Sequence, residues 1–425
     1  MPVLEFGPAL EEALPSVRWQ RLRQVQRVAG ELGLPTYMVG GLARDLLLRR
    51  QPGDIDLVVQ AADEADDTAG PRLARILAQR YGGRVTVHKS FGTATWIDAD
   101  GQAIDVATAR TETYARPAAL PTVMPGTSIL ADLSRRDFTI NAIAIRVDGE
   151  LFGVVLDPYQ GQDDLAARRV RVLHAKSFQD DPTRIFRAVR YEQRLDFQLS
   201  GETLAQVPGA LAHVPALSGE RVRHELELII AEPKAGAMLA RLAGLEVLAA
   251  VHPALSWTQA QANRAEAIAG LPLQAWRLPG PVDTTSIYLA LLLAAAEPNE
   301  ARAALQRLDA NRRVAEAVSA ALRLRLASAV ASAVVAQLDA LSIVAVVAAY
   351  VLRPEFRVLL HQYLSQWRFV SAATTGDDLV ALGFQPGPNF RRWLWGLRAA
   401  RLDGTVTDRD GELALLREWT KVSDP

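Results

Sequence analysis

The sequence predicts an α+β chain: a mixed-sheet domain in the N-terminal part, then an all-helical second half. Two textures carry this. Between Tyr37 and Val155 run short β-rich segments, TYMVGG, DIDLVVQ, RVTVHK, TATWIDA, AIDVATA and INAIAIRV, separated by glycines and short helical stretches. Strands interleaved with one or two helices read as a small mixed α/β domain. From Asp164 onward Ala, Leu and Arg recur at helical spacing, as in DDPTRIFRAVRYEQRL and SGERVRHELELIIAE, the mark of packed amphipathic helices. The 425 residues are enough for about two to four domains.

Composition sets further bounds. The chain is 49% apolar and 22% charged, which excludes global disorder. Lys and Arg number 47 against 48 Asp and Glu; this excludes a uniformly basic coat but leaves room for a local basic groove. With no cysteine there is no disulfide, thiolate zinc site or cysteine nucleophile. That absence fits a reducing cytosol, and a cytoplasmic location is expected. The start, MPVLEFGPALEEALP, lacks the basic and apolar regions of a signal peptide. The longest apolar run, Leu341 to Leu352, falls short of the roughly 20 residues of a membrane span. It reads as a buried helix, and no membrane association is expected.

Taken in order, the first 20 to 35 residues read as a half-buried helix. YMVGGLARDLLL follows, with Gly40 and Gly41 after an apolar strand and at the start of a helix. Such glycines let the backbone approach a phosphate, whose charge the helix N-terminus favours; a plain tight turn is the alternative. Arg44, one turn in, has the reach for a triphosphate, with Asp45 placed to orient it. In GDIDLVV, Asp54 and Asp56 point to one face of a strand while Ile55 and Leu57 point to a core. Two acids on one face repel unless a cation lies between them, and hard divalent cations prefer oxygen ligands. Asp105, in AIDVATA, would complete a trio if its strand is adjacent, and such a trio can hold two Mg²⁺ ions. The alternative is a solvated acidic pair at a strand end. The proline-rich stretch from Arg110 to Ser134 is long for a connector, which points to a functional or mobile loop. SRRDFTINAIAI then offers Arg136 to a phosphate, and Asp137 and Asn141, four apart, to a ribose hydroxyl. Helix breaks are expected at Pro208, Pro215, Pro253, Pro279, Pro298 and Pro354.

GGLARD, DID, RRDFTINAIAI, DPYQGQDDL and DDPTRIFRAVRYEQRLDF occur in this order. The run resembles the class II tRNA nucleotidyltransferase and poly(A) polymerase family. FGTATW, DVATARTETY, SGERVRHELELII and the late TGDDLVALGFQPGPNFRRWLWGLRAARLDG resemble it too. The resemblance implies a palm-like nucleotidyltransferase head over residues 1–165, a helical neck over 166–235 that recognises the nucleotide base, and a helical body and tail over 236–425 that bind tRNA. It implies Mg²⁺ on Asp54, Asp56 and Asp105, triphosphate contacts at Gly41, Arg44 and Arg136, and no nucleic-acid template. Ligand contacts are implied at Arg187 and Arg190, and a loop around Arg110, Glu112 and Tyr114 that helps the move from CTP to ATP.

The base-reading motif of that family stands here as Asp180, Asp181, Pro182, Thr183 and Arg184. Asp181 and Arg184, three apart, would share a helix face. A carboxylate accepts from the amino group of cytosine or adenine while a guanidinium donates to the neighbouring ring nitrogen. Guanine and uracil reverse both groups and meet repulsion. Two departures stand out: Asp180 replaces the usual Glu, and Asp196 replaces a Gly that favours a helix stop. Arg391, Arg392 and Trp393 are candidate tRNA contacts, and the six histidines read as structural. The function implied is addition of CCA to tRNA 3′ ends from CTP and ATP. The alternatives are a poly(A) polymerase, a CC-adding or A-adding specialist, and a tRNA-binding protein without catalysis.

Overall fold

The structure, a computed structural model, describes residues 11–51, 53–61, 68–88 and 92–421. The first ten residues, read for a signal peptide, lie outside the described residues, as do Lys89 of RVTVHK and Phe91 of FGTATW. The chain divides into two compact units, Met1–Arg221 with Gly244–Ala250, and Val222–Ala243 with Val251–Pro425.

In the first unit, α1 (Ser16–Glu31) precedes β1 (Thr36–Val39), α2 (Gly41–Leu47), β2 (Ile55–Val59) and α3 (Ala69–Tyr81). Then come β3 (Arg84–His88), β4 (Thr93–Ile97), β5 (Ala103–Thr108), β6 (Arg110–Thr113), β7 (Thr122–Pro125) and α4 (Ile129–Ser134). β8 (Ala144–Arg146) and β9 (Val155–Leu156) complete a seven-stranded sheet of order β3-β4-β5-β2-β1-β8-β9. Only the β2–β5 pair in it is parallel. Alternation sorts the faces. Ile55, Leu57 and Val59 of β2 and Ile104 and Val106 of β5 enter one core with Leu22, Val25 and Val28 of α1 and Leu73 and Leu77 of α3. The other face carries Asp56 and Asp105 and a smaller core of Tyr37, Val39, Val58, Ile129 and Leu133. Helix α3 lies so close to β5 that a Cβ on Gly70 would sit 2.7 Å from the Ala107 carbonyl carbon.

The Arg110–Ser134 stretch is not a structureless loop. It forms the β6–β7 hairpin and then α4, whose first turn Ser128 caps by accepting from Ala131 N–H at 3.2 Å. Four-residue strands and a six-residue helix carry too little periodicity to be read from sequence. INAIAI resolves likewise into a 3₁₀ turn, Thr139–Asn141, followed by β8.

The helical part of this unit holds α5 (Gly161–Ala166), α6 (Ser177–Asp180), α7 (Thr183–Leu195) and α8 (Gly201–Leu211). It also holds an unforeseen pair of two-residue parallel strands, β10 (Arg169–Val170) and β11 (Gln198–Leu199). Pro208 does not break the chain; it lies inside α8, where the buried Thr203, Val207 and Ala210 anchor the helix across the missing N–H. Pro215 lies within the 3₁₀ turn Val214–Ala216, Pro354 starts another, Pro298 starts a helix, and Pro253 and Pro279 lie between helices.

Among its described residues the second unit contains helices and no strand. Helix Ile343–Leu352 is buried along most of its length, as the apolar run predicted. No single described helix is long and apolar enough to cross a membrane. Trp393 is a core residue rather than a surface contact: it packs with Leu379, Leu397 and Leu416, while Arg391 and Arg392 are exposed.

The helix stop at the end of α7 survives the loss of glycine, because Asp196 itself takes the left-handed conformation, φ 58° and ψ 44°. Asp tolerates that region better than most residues. Both Asp196→Ala and Asp196→Gly remove the carboxylate, so the Ala variant should be less stable than the Gly variant by about 1 kcal/mol. Thermal melts decide this, and an Ala variant melting with the Gly variant would exclude strain at this position.

Candidate active site

The register of β2 on β5 sets Asp56 directly beside Asp105. Both are exposed, on the face away from the larger core. Thr95 of β4 donates to Asp105 Oδ1 at 2.5 Å, fixing that carboxylate. Asp54 lies in the bend just before β2 and is exposed. None of the three forms an ion pair among the described residues, an unusual state for neighbouring carboxylates. Desolvation, then the like charges of Asp105 and Asp54, push the Asp56 carboxyl up to about 6 against the pull of Arg136. Among the described residues no three His, Cys, Asp or Glu side chains are grouped so that they could hold a metal ion, so the structure brings together Asp56 and Asp105 but not the full trio. Two carboxylates in register suit an ion that takes its other ligands from phosphate and water, as Mg²⁺ does.

Gly40 joins β1 to α2 in a glycine conformation, φ 65° and ψ −129°. A Cβ there would be 3.0 Å from Arg136 Nη1, so the glycine makes room for that guanidinium. Gly41 is under no such constraint, since a Cβ on it would make ordinary contact with Arg44 Nη2 at 3.5 Å. Arg136 donates from Nε and Nη2 to Asp132 Oδ2 at 3.2 and 2.9 Å. Its Nη1 has no hydrogen bond among the described residues.

Arg44 is the less available cation, at 3% exposure. It gives Nε to Asp45 (2.9 Å) and Nη1 to Asn141 (2.8 Å), and Asp45 orients it as predicted. Asn141 donates in turn to Asp137 Oδ1 at 2.9 Å. Arg187 gives Nε and Nη2 to Asp137 Oδ2 at 2.8 and 2.6 Å. The Tyr191 ring lies 5.1 Å from the Arg44 guanidinium and 5.8 Å from that of Arg187. Burial raises the Asp137 carboxyl, but Arg187 and Asn141 outweigh it and hold it below the usual range. Asp137 and Asn141, read as ribose contacts, are thus buried and committed to each other and to Arg187. Arg190 is buried as well, and Arg194 is exposed.

Asp181 and Arg184 do not share a helix face. Asp181 is extended, before α7, and Pro182 occupies the N-cap. Asp181 Oδ1 accepts from Thr183 N (3.1 Å), Thr183 Oγ1 (2.7 Å) and Arg221 Nη2 (2.7 Å). Its Oδ2 accepts nothing among the described residues. Arg184 is 5% exposed and donates to Ser177 Oγ (2.7 Å) and to the Arg135 carbonyl (2.9 Å). Its guanidinium lies 6.0 Å from the Tyr114 ring.

Sequence reasoning missed two positioning residues. Asp132, fully buried, also accepts from Arg135 Nε and Nη2 at 3.0 and 2.8 Å and from the Arg110 backbone N–H at 3.3 Å. Arg135 reaches on to Glu112 at 2.6 Å, so one carboxylate ties the hairpin to the arginine pair. Arg221 spans Asp181 and the Ala118 carbonyl (3.2 Å). An acid three and four residues before an RR pair was the available signal for Asp132; nothing in sequence pointed from Arg221 to Asp181. The DPYQGQDDL motif is structural: Asp157 caps α5 through Gly161 N–H (2.7 Å), and buried Asp164 pairs with Arg169 and Arg171.

Known proteins share these features. Residues 36–171 match the family described as poly A polymerase head domain, and residues 196–258 one described as probable RNA and SrmB-binding site of polymerase A. An A-adding tRNA nucleotidyltransferase of Halalkalibacterium halodurans is 30% identical over 98% of this chain and 96% of its own length. The chain belongs to the tRNA nucleotidyltransferase and poly(A) polymerase family. A CC-adding member from Deinococcus radiodurans is 34% identical over 90% of this chain and 88% of its own length. An A-adding member from Geobacter sulfurreducens is 35% identical over 95% of this chain, which spans only about half, 47%, of that relative. Among solved structures, a CCA-adding enzyme in apo form superposes with a TM-score of 0.85 at 28% identity, covering 98% of this chain and 100% of its own. A CCA-adding enzyme with CTP gives 0.80 at 26% identity, with full coverage of both chains. The Thermotoga maritima CCA-adding enzyme complexed with tRNA gives 0.78 at 26% identity, covering 99% of this chain and 100% of its own.

Within this family member, Asp132 should matter first for stability. Removing its charge leaves two arginines facing a neutral group, so Asp132→Asn should cost about 3 kcal/mol. Burial raises the Asp132 carboxyl, but Arg136 and Arg135 hold it below the usual range. The stability it confers is therefore complete above about pH 4 and is lost as pH falls through its lower folded value. Denaturant melts should show a wide gap between wild type and variant at neutral pH that closes in acid. A gap independent of pH would contradict the ion-pair account.

Proposed function

We propose that the protein adds CCA to tRNA 3′ ends from CTP and ATP, without a template. Asp54, Asp56 and Asp105 would hold Mg²⁺, residues 1–165 would do the chemistry, 166–235 would read the base, and 236–425 would hold the RNA. The observation that carries the reading is the in-register pair Asp56 and Asp105, two carboxylates that form no ion pair among the described residues. In the reaction the 3′-hydroxyl oxygen of the RNA bonds to the α-phosphorus of the nucleotide, the bond to the bridging oxygen breaks, and pyrophosphate leaves. When bound, two Mg²⁺ ions supply Lewis-acid chemistry at the attacking and leaving oxygens. Arg136, lodged against Gly40, offers Nη1 to the triphosphate. The Gly40–Gly41 turn brings backbone N–H groups toward it, and Asp45, Asp137, Asn141 and Arg187 hold Arg44 in place.

Selection between bases rests on Asp181 and Arg184. With Oδ1 loaded by Thr183 and Arg221, Asp181 keeps Oδ2 as an acceptor for the amino group of C or A. Arg184, anchored by Ser177 and the Arg135 carbonyl, retains N–H donors for the ring nitrogen. A second reading, an enzyme that adds only the terminal A, draws support from the long matches to relatives named A-adding. A binding protein without catalysis would not need unpaired carboxylates in register.

Asp56→Asn should lower incorporation about a thousandfold or more while tRNA binding persists, since metal-assisted charge stabilisation is worth several kcal/mol. Near-normal turnover would refute the metal assignment. Arg184→Ala should relax discrimination against UTP and GTP more than it weakens triphosphate affinity, which single-turnover assays with each nucleotide resolve. Product sizing separates the family members. On a tRNA lacking all three terminal residues, CTP with ATP should give full CCA and stop. Addition only to tRNA already ending in CC would establish the A-adding reading instead.

A further inference from the structure

The helical second unit contains a cleft that this reading leaves unused. Its volume is about 560 Å³, and its wall carries Arg302, Arg323, Arg325 and Arg353 against one carboxylate, Glu297. Three helices converge there: Arg302 lies in Pro298–Arg307, Arg323 ends Arg312–Arg323, and Arg353 follows Ile343–Leu352. The carboxylate is already engaged, because Glu297 caps its own helix in a reciprocal pair with Glu300.

Two of the arginines are held by backbone. Arg325 Nη1 donates to the Leu322 and Leu324 carbonyls at 3.3 and 2.8 Å, and Arg353 Nη2 donates to the Leu322 carbonyl as well. Gln337 pins the Arg325 carbonyl at 2.7 Å. Arg302 and Arg323 are exposed and have no ion pair or hydrogen bond among the described residues. The carbonyl end of a helix supplies only about half a negative charge. Against four guanidiniums and one carboxylate, that leaves roughly two to three positive charges unbalanced. Arg353 registers the excess: burial, then Arg325 and Arg264, hold its guanidinium below its usual basicity against the pull of Glu355. Its Nε is buried with no acceptor among the described residues.

We propose that this cleft is a phosphate-binding subsite. Guanidinium forks match phosphate oxygens, and pre-held forks lose little freedom on binding. Two sources share this chemistry: a backbone phosphodiester of the RNA, and free phosphate or pyrophosphate. The RNA source rests on the function proposed above; the free anion does not.

The test uses the full chain and the double variant Arg302→Gln/Arg323→Gln, whose side chains hold no other part of the fold. Arg312→Gln/Arg313→Gln, at the other end of the Arg312–Arg323 helix, removes the same charge outside the cleft. Binding of a tRNA lacking its CCA end is measured over a salt series, and melting is followed during titration with phosphate and with pyrophosphate. For the RNA source, the cleft variant should bind roughly tenfold more weakly at low salt, with the salt slope reduced by about one to two, while the control stays near wild type. For the free anion, RNA binding is unchanged and the rise in melting temperature with phosphate or pyrophosphate disappears in the cleft variant alone. Equal losses in both variants, or no change in either assay, would overturn the subsite. If wild type binds tRNA in a cleft-dependent way yet adds no nucleotide, the proposed function falls and the subsite stands.

Discussion

Two carboxylates held side by side, with no ion pair to either among the described residues, are the constraint around which the first unit is arranged. The parallel pairing of β2 with β5 leaves no choice in the matter: once Ile55 pairs with Ile104, Asp56 faces Asp105. The alternating pattern that buries Ile55 and Leu57 also turns Asp56 outward. A one-residue slip would bury the carboxylates and expose the core residues, so the hydrophobic effect itself enforces the placement of the charged pair. The repulsion is tolerated because Asp56 gives way, its carboxyl raised to about 6 by desolvation and by Asp105 and Asp54, while Thr95 donates to Asp105.

Around this pair, the arginines are deployed in a consistent manner. Each is tied to an acid or amide that fixes its orientation: Arg44 to Asp45 and Asn141, Arg136 to Asp132, Arg187 to Asp137, Arg221 to Asp181. An arginine free in solvent has many rotamers to lose on meeting a phosphate; one already held has few. Bidentate pairs leave N–H groups over, so orientation is gained without exhausting the donors. Asp181 shows the same division within one carboxylate, one oxygen occupied by the protein and the other left over.

Much of this was legible in the sequence. The six β-rich runs map onto β1 to β5 and β8, but the Asp56–Asp105 adjacency was legible only as a condition, since sequence does not say which strands are neighbours and the β2–β5 pairing supplies it. The Asp45–Arg44 pairing was also visible, since neighbours in sequence are neighbours in space. What escaped reading has physical causes. The β6–β7 hairpin and α4 are too short to show a period. Asp181 and Arg184 fit a helical spacing, yet Pro182 takes the cap position and leaves Asp181 extended outside the helix. Asp137 and Asn141 were read as ligand contacts because polar pairs suggest sites; whether a pair faces a ligand or a neighbouring arginine depends on tertiary burial, which spacing does not encode. The Arg221–Asp181 contact spans forty residues and left no trace at all.

The sheet order also bears on how the chain reaches its fold. β3 and β4 are adjacent in sequence and pair antiparallel, and β5 follows directly onto the β4 edge. Those contacts close small loops and form early. Ile55 and Ile104 stand 49 positions apart and must pair in parallel, a slower closure than those of β3, β4 and β5. The β1–β8 pairing, Val39 with Ala144, spans a longer stretch still. A chain that has not closed this pairing keeps Asp56 and Asp105 apart, so the approach of the two carboxylates reports that the non-local half of the sheet has formed.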